Sequence, residues 1–247
     1  MTATDPDPTR PIHDPPLDTI RQHLTRRVPA LTDHQADAVT LWTAATWAPW
    51  ACDQTPLLVI TGPAKAGKTR LLNAVASLSD YPVPSERHTA AAIRTALAYW
   101  PTTLVIDDVG ARILCRDSKA MQLVADHTHR ARSANLFLMA ALATEAEPPS
   151  ELAARSLVIR LATPATPPAP GPAPGRLDLR PALWQWLIDA DDKTFPPPVP
   201  ADLLPAGRVG PFLPLLDVAH YAGRDWPDRV RHAMAALTGI PPATPAA

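Results

Sequence analysis

The segment Gly62–Thr69, with the sequence GPAKAGKT, constrains the fold more than any other part of the chain. It follows the apolar run PLLVIT (56–61) and leads into GKTRLLNAVASLS (67–79), which has the pattern of a helix. Glycines let a loop bring its backbone N–H groups close to an anion, and a helix N-terminus adds a favourable dipole. The pattern therefore predicts a strand, a phosphate-binding loop and a helix in direct succession.

The chemistry of this loop assigns roles to its residues. Its backbone is expected to surround a β-phosphate, Lys68 to reach the β- and γ-phosphate oxygens, and the Thr69 hydroxyl to bind Mg²⁺. The predicted ligands are ATP and Mg²⁺, because the sequence lacks the Asn/Thr-Lys-x-Asp motif that reads guanine. The predicted nucleotide-binding residues are Gly62, Pro63, Ala64, Lys65, Ala66, Gly67, Lys68, Thr69 and Arg70.

Two adjacent aspartates end a second apolar run, TLVIDDV (103–109). In nucleotide hydrolases with such a loop, an acidic residue at the end of a neighbouring strand holds the Mg²⁺ complex, and Asp107 is predicted to do so. Asp108 lies one residue further, where a carboxylate can act as the general base for the attacking water. The alternative for Asp108 is a solvated turn carboxylate.

Apolar segments alternate with helical patterns along the middle of the chain. Further strands are predicted at 135–142 and 156–161, and further helices at 17–27, 32–48, 89–100 and 117–132. Thr32 and Gln35 form a capping-box pattern at the start of the second helix. Near-continuously apolar strands between helices are typical of a mostly parallel sheet covered on both faces. The predicted fold is therefore α/β, a three-layer P-loop core preceded by two helices.

The character of the sequence changes after residue 162. The segment ATPATPPAPGPAPG is typical of a semi-rigid proline-rich linker, and only helical patterns follow it. We therefore predict a disordered tail at 1–16, the core with its N-terminal helices at 17–162, a linker at 163–176, a small all-helical subdomain at 177–240 and a disordered tail at 241–247.

Composition excludes several classes of protein. The formal net charge of the 247 residues is −1, so no overall positive field would draw the chain to nucleic acid. Cys52 and Cys115 are too few for a disulfide scaffold and lack the spacing of a zinc site. Because the sequence has no signal-peptide pattern and no apolar run of membrane-spanning length, we expect a cytoplasmic protein without membrane contact.

With these motifs, the sequence resembles the AAA+ branch of P-loop ATPases, whose acidic pair is usually Asp-Glu rather than Asp-Asp. The resemblance implies a polar sensor after the following strand that contacts the γ-phosphate or the attacking water. Thr144 matches it, and loop composition alone would also explain this threonine. The resemblance further implies an arginine finger that completes the site of a neighbouring subunit. Arg155 matches it, with a structural helix cap as the alternative.

A second resemblance extends over nearly the whole chain. The segments LDTIRQHLTRRV, VTLWTAATW, GKTRLL, LAARSLVIRL and LLDVAHYAGRDWPDRVRHAMAAL are similar to an uncharacterised bacterial ATPase family, domain of unknown function 3631. That family often stands beside primase or replication-type domains of phages and plasmids, and it usually has an aspartate where this chain has Ala154. These resemblances imply a homo-oligomer with nucleotide sites at subunit interfaces, and DNA or replication proteins as partners.

The expected function is Mg²⁺-dependent ATP binding and hydrolysis that drives remodelling of nucleic acid in DNA replication. Two other classes stay open. One is an adaptor that binds ATP without turnover, which the Asp108 substitution permits. The other is a small-molecule phosphotransferase, to which only Arg229 and Arg231 point. The expected catalytic residues are Lys68, Asp108, Thr144 and Arg155, and the expected Mg²⁺ ligands are Thr69 and Asp107.

Aromatic and basic residues outside these motifs each allow two interpretations. Three tryptophans precede the loop, and we expect core anchors, with adenine stacking as the alternative. A basic group follows the aspartates, and we expect a solvated loop, with a pore that grips DNA as the alternative. The residues are Trp42, Trp47 and Trp50 in the first group, and Arg112, Arg116 and Lys119 in the second.

Overall fold

The computed structural model describes residues 16–47, 55–85, 89–97, 102–114, 118–119, 121–122, 124, 138–163, 179–188 and 210–239. The described elements are, in chain order, α1 (Leu17–Arg27), α2 (Asp33–Ala45), β1 (Leu57–Thr61), α3 (Lys68–Leu78), β2 (Pro82–Ser85), α4 (Ala90–Leu97), β3 (Thr102–Ile106), α5 (Ala111–Leu114), β4 (Leu138–Thr144), α6 (Ser150–Ala153), β5 (Ser156–Arg160), α7 (Arg180–Ile188), a 3-10 turn (Gly210–Phe212), α8 (Leu213–Ala222) and α9 (Trp226–Thr238).

Some sequence predictions concern residues outside these ranges. The two tails and the linker at 163–176 lie outside them, except for residues 16 and 163. Four single residues also lie outside them: Trp50, Cys52, Cys115 and Arg116. The predicted helix at 117–132 is described only at five scattered residues, which include Lys119. Within the described ranges, every helix is too short or too polar to cross a membrane.

The strands form one parallel sheet in the order β2-β3-β4-β1-β5. β4 lies between the other two strands that carry predicted site residues, because Leu58 of β1 pairs with Ala141 and Leu104 of β3 pairs with Ala140. All strands point the same way, so the carboxyl ends of β1, β3 and β4 meet at one edge. Open α/β sheets bind their ligands at that edge.

Helices cover both faces of the sheet. On one face, Leu58 and Ile60 join a hydrophobic cluster that includes side chains of α1, α2, α3 and the C-terminal helices. On the other face, Leu57 and Val59 join a second cluster, which includes Ile93 of α4. The prediction of an α/β protein with a parallel sheet is confirmed, and the layers are compatible with a three-layer arrangement. Burial on both faces is the reason that the strands are apolar at consecutive positions.

Strand β2 was not predicted, because two of its four residues are prolines. Tyr81 O accepts a hydrogen bond from Thr103 N at 3.1 Å, so alternation directs the backbone groups of Val83 towards β3 as well. Pro82 and Pro84 therefore face the outer edge, where the N–H groups that they lack are not needed for the ladder. This edge has few donors to offer a strand from another molecule.

Helix α2 begins as the capping-box pattern predicts. Thr32 Oγ1 accepts from Gln35 N at 3.3 Å, and Gln35 Oε1 accepts from Thr32 N at 3.1 Å. The Gln35 amide also donates to Arg160 O at 2.8 Å, which joins the start of α2 to the end of the edge strand β5. The cap therefore fixes the helix both locally and against the sheet.

Two of the predicted core tryptophans are buried in the first cluster. Trp42 Nε1 donates to Pro56 O at 2.8 Å, and Trp47 Nε1 donates to Leu78 O at 2.8 Å. The exposed fractions are 0% for Trp42 and 5% for Trp47. The prediction of core anchors is confirmed for these two, and adenine stacking is wrong for them because the rings and N–H groups are used inside the fold.

The C-terminal helices pack against the N-terminal ones. Trp226 of α9 is fully buried in the cluster that contains α2 and the sheet. Arg229 donates to Asp18 of α1 at 3.0 Å and to Asp225 at 2.8 Å, with its guanidinium 4.6 Å from the centre of the Trp226 ring. The helices predicted as a subdomain at 177–240 thus share one hydrophobic cluster with the core, and the boundary between the two stays a prediction.

Asp80 lies between α3 and β2 and is half-buried. Burial raises its pKa to about 6, against the opposing effects of the Tyr81 backbone N–H and of the Arg180 charge, while the ordinary pKa is 3.8. The folded protein holds this proton more tightly than the unfolded chain does. Asp80 therefore contributes stability below pH 3.8 that is lost as the pH rises through about 6. Above that pH, the ionised carboxylate destabilises the fold.

Replacing Asp80 with asparagine is expected to raise the free energy of unfolding at pH 7 by about 1 kcal/mol, a value that allows for solvent screening of a half-exposed group. Asparagine keeps an acceptor for the Tyr81 N–H but does not ionise. Near pH 4 the variant and the wild type should therefore differ by less than about 0.5 kcal/mol. Urea denaturation over this pH range measures both values, and an equal gain at all pH values would contradict titration of Asp80 as the cause.

Candidate phosphate-binding site

Residues 62–67, here termed the glycine loop, connect β1 to α3. Gly62 has φ 148° and Gly67 has φ 99°, and side chains disfavour both conformations. A Cβ atom on Gly62 would lie 2.4 Å from Leu161 O, in the chain that follows β5. The first glycine of the motif is therefore required by the close approach of two backbone segments, and the second by its positive φ.

The glycine loop ends at the N-terminus of α3, which is 11 residues long. Gly67 is the N-cap residue and provides no side-chain acceptor for the first N–H groups of the helix. Such N–H groups, together with the helix dipole, favour an anion. Thr69 and Arg70 are exposed in this first turn. The local geometry agrees with the phosphate site that the sequence predicts.

Lys68 bends back over the glycine loop. Its Nζ donates to Gly62 O at 2.9 Å and to Pro63 O at 2.8 Å. A third partner is Glu145 Oε1, 3.4 Å away. The Lys68 side chain is only 11% exposed, so these contacts cover most of it. The ammonium group thus lies against the carbonyl groups of the glycine loop, and its contact with phosphate stays a prediction.

Glu145 is a site residue that sequence reasoning missed. It directly follows β4, whereas Lys68 begins α3, and only the folded chain brings the two together. The one available signal was its position after an apolar strand, next to Thr144. That signal predicts a location at the carboxyl edge of the sheet, but it does not predict a lysine partner.

The two predicted acidic residues form a tight turn after β3. Asp108 N donates to Asp107 Oδ1 at 2.9 Å, and Asp108 is exposed with φ 52°. A positive φ is uncommon outside glycine, although aspartate tolerates it better than most residues. Val109 N donates to Ala143 O at 2.8 Å, so the end of the turn is attached to β4. The pair therefore lies at the same sheet edge as the glycine loop, with β4 between them.

Thr144 at the end of β4 has a different contact from the one predicted. Its side chain is 0% exposed, and its hydroxyl donates to Val109 O at 2.7 Å and accepts from Ala146 N at 3.0 Å. A hydroxyl has one proton to donate, and the Val109 carbonyl takes it. Direct donation from Thr144 to a γ-phosphate is therefore not the geometry of this structure. Thr144 instead holds residues 107–109, here termed the aspartate turn, against β4, so it is a positioning residue.

Arg155 lies in the turn between α6 and β5. Its backbone N–H donates to Leu152 O at 3.1 Å, which closes the last turn of α6, and its side chain is exposed. Exposure is compatible with contact to a neighbouring subunit, and the arginine-finger role stays a prediction. A second arginine, Arg160, ends β5, and its Nε donates to Glu147 Oε1 at 3.0 Å.

The basic residues considered for a DNA-gripping pore and for a phosphotransferase differ in exposure and in their ion pairs. Arg112 and Lys119 are exposed, as expected for solvated residues, but Arg112 lies in α5 and Lys119 is helical, so the prediction of a loop is wrong for these two. Arg229 holds the ion pairs of α9 described above, and Arg231 pairs with Asp228 one turn earlier. Because Arg229 and Arg231 form ion pairs within the fold, they give little support to the phosphotransferase alternative.

The predicted Mg²⁺ ligands are a hydroxyl at Thr69 and a carboxylate at Asp107. In the described part of the chain, no three His, Cys, Asp or Glu side chains lie close enough together to hold a metal ion. Mg²⁺ at phosphate sites takes one or two protein oxygens and obtains its other ligands from phosphate and water. A hydroxyl and a carboxylate are the kinds of ligand that such an ion takes, and the Mg²⁺ role of Thr69 and Asp107 stays a prediction.

The comparison of the chain with models of protein families found no match, and neither did the comparison with curated proteins.

Proposed function

We propose that this protein binds ATP with Mg²⁺ at the glycine loop and hydrolyses it, as an AAA+-like P-loop ATPase. The observation that carries the proposal is the loop itself. Two glycines with positive φ precede Lys68, whose ammonium lies against the loop carbonyls and next to the Glu145 carboxylate. A strand, an uncapped helix N-terminus and the carboxyl edge of a parallel sheet surround it, which is where phosphate binds in such sheets.

Each part of the site has a distinct task in this proposal. Loop N–H groups bind the β-phosphate, and Lys68 moves its ammonium from the loop carbonyls to the phosphate oxygens. Bound through Thr69 and Asp107, Mg²⁺ would neutralise charge on the phosphates. Asp108 accepts the proton of the water that attacks the γ-phosphorus, and ADP leaves with the electrons of the broken P–O bond. Arg155 completes the site of a neighbouring subunit.

The hydrogen bonds of the aspartate turn support the roles proposed for Asp107 and Asp108. Thr144 and Ala143 of β4 fix Val109 through hydrogen bonds of 2.7 Å and 2.8 Å, so the turn after Asp107 has a defined backbone. Catalysis depends on groups that are held in place before the reaction begins. The proposed use of the reaction, remodelling of nucleic acid by a homo-oligomer in DNA replication, rests on the resemblance in sequence and on the exposed Arg155 alone.

A second candidate function is a nucleotide-dependent adaptor without turnover. It is favoured by Asp108, which is exposed, has φ 52° and is one methylene shorter than the glutamate usual at this position. Release of phosphate by the wild-type protein, measured with and without single-stranded DNA, separates the two candidates. Turnover supports the ATPase, and tight ATP binding with no phosphate release supports the adaptor.

Replacing Lys68 with alanine is expected to weaken the binding of Mg·ATP by about 10- to 100-fold, because a charge-assisted contact to phosphate is lost. Isothermal titration calorimetry measures this. Lys119→Ala is the control, since it removes the same charge at an exposed position outside the glycine loop and outside the predicted nucleotide-binding residues. Binding by the control should change by less than about threefold. Equal effects of the two substitutions, or no binding by the wild type, would refute the proposed site.

A further inference from the structure

The ammonium group of Lys68 has an anionic partner within the protein itself. Glu145 Oε1 lies 3.4 Å from Lys68 Nζ, and its side chain is 61% exposed whereas that of Lys68 is 11% exposed. Glu145 is therefore the partner of Lys68 that lies closer to solvent, and a nucleotide would reach Lys68 from solvent. The other partners of Lys68 are the loop carbonyls.

Hydrogen bonds on both sides of Glu145 hold its backbone next to the glycine loop. On one side, the Thr144 hydroxyl bonds to Val109 O and to Ala146 N. On the other side, Ala146 O accepts a hydrogen bond from Thr61 Oγ1 at 3.0 Å. Thr61 ends β1 and leads directly into the glycine loop, so residue 145 is held between the two strand ends that border the opening.

We propose that Glu145 is the internal counter-charge of Lys68, and that a nucleotide must displace it in order to bind. The inference rests on the proposed nucleotide site. A phosphate that reaches Lys68 breaks an existing ion pair and also lies close to a carboxylate of its own sign. Glu145 thereby lowers the affinity of the site, and this effect grows with the negative charge of the ligand.

The same contact connects ligand binding to the aspartate turn. Glu145 and Thr144 are consecutive, and the Thr144 hydroxyl holds Val109 two residues after Asp107. Displacement of Glu145 from Lys68 removes a side-chain contact between the end of β4 and α3, while the hydrogen bonds of Thr144 and Ala146 keep the backbone in place. In this proposal, the contact between Glu145 and Lys68 is lost when a nucleotide occupies the glycine loop.

The test compares two glutamates of the same loop. Glu145→Gln removes the charge next to Lys68 and keeps the shape of the side chain. Glu147→Gln is the matched control, because Glu147 is 60% exposed and also forms an ion pair, but with Arg160. Calorimetric titration with Mg·ADP and with a non-hydrolysable Mg·ATP analogue measures binding without turnover.

Glu145→Gln is expected to bind Mg·ADP about threefold tighter than the wild type, and the ATP analogue up to about tenfold tighter. Glu147→Gln should match the wild type. Unchanged or weaker binding by Glu145→Gln, in a wild type that does bind, overturns the role of Glu145 and leaves the nucleotide site intact. No binding by either protein overturns both proposals, whereas binding by Glu145→Gln alone supports the counter-charge. Glu145→Ala should shift affinity in the same direction as Glu145→Gln.

Discussion

Replacing Gly62 with alanine is expected to lower the free energy of unfolding by about 3 kcal/mol or more and to abolish nucleotide binding. The new Cβ atom would meet Leu161 O at 2.4 Å. That oxygen belongs to the backbone after β5, so a flexible side chain cannot relieve the contact. The φ of 148° adds strain for any residue with a Cβ. Equilibrium denaturation and nucleotide titration measure the two effects.

Two other glycines provide graded controls for this prediction. Gly67 has φ 99°, but a Cβ there would only reach Val28 Cγ1 at 3.6 Å, so Gly67→Ala is expected to cost about 1–2 kcal/mol through strain alone. Nothing lies within 4 Å of a Cβ on Gly110, and Gly110→Ala should cost less than about 1 kcal/mol. Similar losses at all three positions would contradict the backbone contact as the reason for Gly62.

Replacing Trp226 with alanine is expected to lower the free energy of unfolding by about 3–5 kcal/mol. The indole is fully buried in the cluster shared by α9, α2 and the sheet, and the Arg229 guanidinium lies 4.6 Å above it. Because this cluster is continuous, the loss should lower one cooperative transition in differential scanning calorimetry. An early transition for the C-terminal helices, with the rest unfolding as in the wild type, would instead show that the predicted subdomain folds by itself.

Phenylalanine substitutions separate ring volume from hydrogen bonding. Trp226 Nε1 has no hydrogen-bond partner among the residues that the structure describes, whereas Trp42 Nε1 donates to Pro56 O at 2.8 Å. Trp226→Phe is therefore expected to cost about 1 kcal/mol less than Trp42→Phe, which leaves a buried carbonyl without its donor. Both tryptophans are 0% exposed, so the transfer of apolar surface is closely matched.

Features with a local cause were predictable from the sequence. The glycine loop follows from residues within eight positions, and the capping box of α2 from Thr32 and Gln35, three positions apart. The parallel sheet follows from apolar runs between helices, since strands buried on both faces have little polar alternation. The end of β4 was less accurate: the strand was predicted at 135–142 and ends at Thr144, while residues 135–137 lie outside the described ranges.

Features with a tertiary cause were not predictable in the same way. Nothing near Pro82 in the sequence marks an edge strand, because its pairing with Thr103 depends on where β3 lies. The same holds for Glu145, whose partner Lys68 is 77 residues away along the chain. Thr144 shows that a position in a motif can predict where a residue lies without predicting its hydrogen-bond partner. The sequence locates it correctly at the end of β4, but only the folded chain shows that its hydroxyl is used by Val109.

The pairing of Arg229 with Asp18 joins residues that are 211 positions apart. At a synthesis rate of about 5–20 residues per second, α9 leaves the ribosome roughly 10 to 40 seconds after α1. During that interval the apolar side of α2 has no C-terminal partner, and a nascent chain of this kind is prone to aggregation and to chaperone binding. Contacts of such long range also slow the search for the native topology. The N-terminal helices, and the glycine loop that α1 borders through Val28, thus reach their final packing only once α9 has been made.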